Sequence, residues 1–200
     1  MQSRLERLRQ LEAQRKQLLH VEKPALEGQW LRLLGVTHLE TLALEVECKR
    51  WSGVLREMRD GLAHGAMPSV EEALATVDAT MKTDRERVAR WQREVAAATD
   101  PARTLATVSR RAASEDQPYS AARDGDTAPY VFNLATAITS LEQEIAELLT
   151  RPPFTYATLL DDPEWIAEQQ AQFAMEATAL KARRDAQQQL AQLLALGPLG

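Results

Sequence analysis

Residues 69–98 read SVEEALATVD ATMKTDRERV ARWQREVAAA. Val70, Leu74, Val77, Met81, Asp84, Val88, Trp91, Val95 and Ala98 recur in steps of four and three. That alternation places one side chain per turn on a single face of an α-helix. Ser69-Val70-Glu71-Glu72 matches a capping box, in which the hydroxyl and the Glu72 carboxylate satisfy the free amides of the first turn reciprocally. The spacing therefore predicts one helix over 69–98, with Asp84 as the single charged residue in its apolar seam. A polar seam residue pairs with a neighbour's cation or fixes register and partner choice.

Upstream, Leu44, Cys48, Trp51, Leu55, Met58 and Leu62 repeat the same alternation. Thr37-His38-Leu39-Glu40 matches a second capping box, and Gly-Leu-Ala-His-Gly-Ala-Met-Pro at 61–68 reads as a turn. Two seams joined by a short turn predict an antiparallel coiled-coil hairpin over 37–98. The fold class expected is all-α, an elongated helical bundle centred on that hairpin.

Working outward, residues 2–22 carry Leu5, Leu8, Leu11, Leu18 and Leu19 at helical spacing, with Arg15 interrupting the stripe. Pro24 is expected to stop or kink that helix. Ala25 to Leu34 then forms a shorter piece that Gly35 closes. After the hairpin, Asp100-Pro101 has the cap-then-proline pattern of a helix start, with Leu105 and Val108 following. Residues 114–129 are polar and rich in breakers and read as a flexible loop. Leu134, Ile138, Leu141, Ile145 and Leu148 predict a helix from about 130 to 150, which Arg151-Pro152-Pro153 stops. Thr155 caps a single turn through Leu160, and Asp162-Pro163-Glu164 opens a last helix to about Ala195, ended by Gly197-Pro198. Three segments result, 1–35, 36–99 and 100–200, read as one continuous domain.

Composition agrees. Of 200 residues, 103 are Ala, Leu, Glu, Lys or Arg, the make-up of long helices. Gly (8), Pro (9) and a single Asn are too few for the turns of a many-stranded β protein. The lone Cys48 excludes an intramolecular disulfide. A net charge of −5 argues against a dedicated nucleic-acid binder. No apolar run reaches the ~18 residues of a membrane span, and the N-terminus lacks the unbroken apolar core of a secretory signal, so a cytoplasmic location is expected.

Glu-x-x-His pairs, His-Glu-x-x-His, a phosphate loop and Gly-x-Ser-x-Gly do not occur. Glu144 with Glu147, and Glu57 with Asp60, share a helix face as magnesium-binding carboxylates do, but they flank apolar seams and read as solvated faces. No metal or cofactor is expected. Arg87, Arg90 and Arg93, with Arg85 and then Arg103, Arg110 and Arg111, form a basic strip suited to phosphates of nucleic acid, interleaved with Glu86 and Glu94.

Met58–Gly65, Met-Arg-Asp-Gly-Leu-Ala-His-Gly, resembles the arginine–histidine motif of the HEPN superfamily. That resemblance implies an all-helical, dimeric, metal-independent ribonuclease or an inactive relative. Arg59 and His64 would be its catalytic pair, the histidine moving protons and the arginine stabilising a pentacoordinate phosphate.

The favoured expectation is a non-enzymatic oligomerisation or adaptor protein. It would bind another protein through helix faces and form a homo-oligomer, most simply a dimer. Phe173, Leu180, Leu190 and Leu194 on the last helix, and Asp84, are the contact candidates, with Leu193 and Leu196 adding to the C-terminal leucine cluster.

Overall fold

A computed structural model describes residues 2–100 and 127–196. Over these residues the protein is all-α, with helices α1 (Gln2–Gln17), α2 (Lys23–Ala63), α3 (Val70–Thr80), α4 (Lys82–Thr99), α5 (Thr127–Leu149) and α6 (Pro163–Ala195), and no strand among them. Nearly all of the predicted helix after Asp100-Pro101 and of the 114–129 loop, with Arg103, Arg110 and Arg111, lies outside the described residues, as does Gly197-Pro198. Residues 127–129 open α5 and are helical.

Three expected boundaries near the N-terminus do not exist. A five-residue π-helical turn, Leu18–Glu22, joins α1 to α2 without a stop, and the Lys23 amide donates to the Leu18 carbonyl five residues back. Proline lacks an amide and crowds the carbonyl four residues before it. The wider π turn re-spaces the ladder just ahead of Pro24, and the helix continues. Gly35 is buried inside α2, where an added Cβ would stand 2.9 Å from Val95 Cγ2. Its small size serves a close neighbour rather than a helix end. Thr37 donates its hydroxyl back to the Leu34 carbonyl at 2.9 Å, so the Thr37–Glu40 box is not a cap.

The described chain falls into two compact units. One comprises Leu31–Ala96 with Glu164–Gly200. In it, pairings between α2 and the stretch after the turn run in opposite directions. Gly61 lies beside Pro68, Gly53 beside Val77, Arg50 on Asp78, Lys49 on Asp84 and Gly35 beside Val95. Pairings with α6 advance together. Leu33 accepts from Gln170, Thr41 and Cys48 donate to the carbonyls of Phe173 and Leu180, and Gln187 donates to Ser52. α2 thus has an antiparallel neighbour and a parallel one. Its seam residues Cys48, Trp51, Leu55 and Met58 are buried, and so is Val54 off that seam, because two helices cover it. Leu62, expected at the end of the seam, is 57% exposed.

The core of this unit gathers Trp51, Val54, Leu55 and Met58 of α2, Ala73 and Val77 of α3, Met81, and Ala191 of α6, with Leu194 packed against it. The Ser69–Glu72 capping box forms, at 3.2 Å for the Glu72 amide and 2.8 Å for the Ser69 amide. The helix predicted over 69–98 breaks once, at Met81, whose amide bonds to Asp78 while its side chain stays buried. The apolar spacing carries through the break. Gly65 takes the left-handed conformation (φ +74°) that closes the turn after α2.

The other unit comprises Met1–Trp30 with Ala97–Pro163. Leu11 and Leu18 pack with Ile145 of α5, flanked by Ile138, Leu141 and Phe154. Arg15, the interruption of the stripe, bonds to Glu144 at 2.7 Å, and Arg7 bonds to Glu142 at 2.8 Å. Such exposed pairs add little stability, but a basic α1 beside an acidic α5 selects this pairing over others. The Gln29 amide donates to Leu160 O and Asp161 Oδ1 at 3.1 and 3.0 Å. Two 3-10 turns, Phe154–Tyr156 and Leu159–Asp161, replace the single turn expected from Thr155.

Arg50 grips Asp78 with a two-pronged bond, Nε to Oδ1 at 2.7 Å and an Nη to Oδ2 at 2.8 Å, and Arg85 adds a third at 2.5 Å. The Arg50 and Asp78 side chains are 25% and 27% exposed. Arg50, with burial opposing, holds the Asp78 carboxyl below its ordinary range. Replacing Asp78 with alanine is expected to lower the unfolding free energy by about 2 kcal/mol, read as a lower urea midpoint. Arg50→Lys should recover only part of the loss, because an ammonium cannot span both oxygens.

Candidate functional site

Over its last turns α6 presents two lines of apolar residues. Ala191 is fully buried and Leu194 packs on the Trp51–Met58 cluster. Leu190, Leu193 and Leu196 are 38%, 64% and 78% exposed. Spaced by three, these leucines form an i±3 ridge that steps round the helix by about 60° per side chain. Because α6 runs parallel to α2, exposed Leu62 belongs to the same end of the unit. Together the four leucines expose more than two whole leucine side chains' worth of surface. Exposed apolar side chains gathered at one end of a unit make that end a candidate contact surface.

The other contact candidates are used inside the unit. Half-buried Phe173 meets the His38 ring edge-on at 5.3 Å, and half-buried Leu180 accepts the Cys48 thiol at 3.2 Å. Burial raises the Cys48 pKa, with Arg183 and Arg184 opposing. Asp84 accepts from Lys49 at 2.6 Å, so this polar seam residue ties α4 to α2. Leu193 and Leu196 do not stand out by periodicity, and Leu62, which periodicity placed on the buried seam of α2, is exposed instead. What marks the region in the sequence is the absence of charge: no side chain from Ala186 onward is ionisable.

Arg87, Arg90 and Arg93 are exposed on α4 and, like the three leucines, step round the helix by about 60° each. Arg93 donates to its own helix at the Ala89 carbonyl, and Arg87 lies close enough to His38 to act on its charge. Arg59 and His64 are both exposed at the end of α2 and in the turn beyond it. The His64 Nδ1 lies 2.6 Å from the Asp60 carbonyl, so Nδ1 is the donor of that bond. Among the described residues no three His, Cys, Asp or Glu side chains converge on a point that could hold a metal ion. Among the same residues no helix is long and apolar enough to cross a membrane.

His38 lies inside the expected Thr37–Glu40 box, where it has no role of its own. Instead its ring meets Trp91 of α4 at 5.0 Å and Phe173 of α6 at 5.3 Å, so one layer joins three helices. Burial lowers its pKa, Glu45 and Glu176 opposing and Arg87 assisting. The unfolded chain therefore takes up a proton near the ordinary value of 6.5, while the folded chain does so only at lower pH. Stability is fully present above that value and falls as pH drops from it. Urea midpoints at about pH 7.5 and about pH 5.5 should differ, and His38→Leu should shrink the difference.

Family models, curated proteins and solved structures yield no match to this chain.

Proposed function

We propose that this chain is a cytoplasmic, non-enzymatic helical adaptor that holds another protein against the outer face of the last turns of α6. The observation that carries this reading is the division of one helix end between two roles. Ala191 and Leu194 complete the unit's own core, while Leu190, Leu193 and Leu196 stand in water one position away. Folding consumes the first line and gains nothing from the second, so the second line is available for association. A rigid helix presents it, and a partner there pays little ordering entropy on this side.

Capture of bound protein by the tagged chain from its own cells, after nuclease treatment, tests the reading. A protein retained in stoichiometric amount should be lost by about tenfold or more with Leu190→Glu or Leu193→Glu. It should stay bound with Arg87→Ala and Arg90→Ala. Retention by the leucine variants, or loss with the arginine variants, overturns the assignment of the contact to α6.

A further inference from the structure

Trp91 of α4 and Phe173 of α6 both meet the His38 ring of α2 edge-on, at 5.0 and 5.3 Å. At this level the imidazole is the common neighbour of both rings, so a change in its charge acts on three helices at once. We propose that this layer is a proton-controlled latch: uptake of a proton by His38 opens the end of the unit formed by residues 34–42, 88–96 and 166–177, while the Trp51–Met58 core stays closed.

The two ends of the unit are built differently. Near the turn, Trp51, Val54, Leu55 and Met58 pack into one apolar cluster with side chains of α3 and α6. Leu34, Leu42 and Val95, buried at the His38 end, lie outside that cluster. There α6 is tied to α2 by the exposed Gln170 amide on the Leu33 carbonyl at 2.8 Å, and by the Thr41 hydroxyl on the Phe173 carbonyl at 3.3 Å. Water replaces such bonds at a small net cost, whereas opening the cluster exposes apolar surface. A region with fewer buried apolar contacts opens at a lower free energy than the core.

Charge gives the latch its direction. The charges acting on the ring are Glu45 from its own helix, Arg87 from α4 and Glu176 from α6. An aromatic face attracts a cation, and both carboxylates favour the imidazolium. The closed layer removes water from that imidazolium and Arg87 repels it, and burial is the largest of these effects. The proton is therefore held better by the open, hydrated state. The latch is closed above the ordinary histidine value of 6.5 and is released as pH falls below it. One proton raises the opening constant by at most about tenfold between about pH 7.5 and about pH 5.5.

Hydrogen exchange of the full chain at those two pH values, corrected for the intrinsic rate and read by mass spectrometry, tests the latch. Peptides covering 34–42, 88–96 and 166–177 should be less protected than those covering 51–58 already at about pH 7.5, and their protection should fall by about threefold or more at about pH 5.5. His38→Leu and His38→Gln should each abolish that fall, while His64→Gln, in the exposed turn, leaves it in place. In the wild type, the His38 ring signals in proton NMR, identified by their loss in His38→Gln, should titrate below 6.5. Equal protection of the two ends at about pH 7.5, a fall that persists in both His38 variants, or a His38 midpoint above 6.5 overturns the inference.

Discussion

The two-sided burial of α2 between Thr41 and Met58 is the constraint on which the larger part of the structure depends. A helix with one apolar stripe needs one neighbour. Here Val54 and Met58 are fully buried and Trp51, Leu55, Cys48, Leu42 and Thr41 nearly so, a set too wide for one stripe. The antiparallel partner after the turn covers one side. Among the described residues the other is closed by α6, more than a hundred residues later in the chain. Part of this surface lies beyond the cover of the stretch after the turn, so the core is complete only with α6 in place.

Polar groups set how those helices meet. Thr41, Cys48 and Ser52 each bond to α6, and Arg50 and Lys49 bond to the stretch after the turn. Apolar packing tolerates sliding, whereas these bonds are satisfied at one register only. The buried positions of α6 are the small residues Ala177 and Ala191, the second packed in the core beside α2. Gly53 lies close to α3, where an added Cβ would stand 3.0 Å from Val77.

What the sequence revealed depended on whether the signal was local. The four-three seams, the Ser69–Glu72 box and the Asp162-Pro163 start are short-range patterns, and the helices they mark are present. Pro24, Gly35 and Thr37 misled because each is ambiguous by itself. A proline can follow a π turn, a glycine can make room for Val95, and a threonine can bond back into its own helix. Which use applies depends on neighbours distant in the chain. The same holds for His38, whose two ring partners lie 53 and 135 residues away, and for Phe173, Leu180 and Leu194, which look alike in sequence to the leucines that face water.

That last ambiguity has a physical resolution at the α6 terminus. Along most of α6 the outward side carries charge, including Glu168, Glu176, Lys181 and Arg183, which keeps an exposed helix soluble and apart from its copies. Beyond Asp185 the charges cease while the leucines continue on both lines. A helix whose only task was to close its own core would need Ala191 and Leu194 and would be served better by lysine or glutamate at 190 and 193. Leucines there leave apolar surface in water that the unit's own core does not use, and the proposed contact rests on that difference.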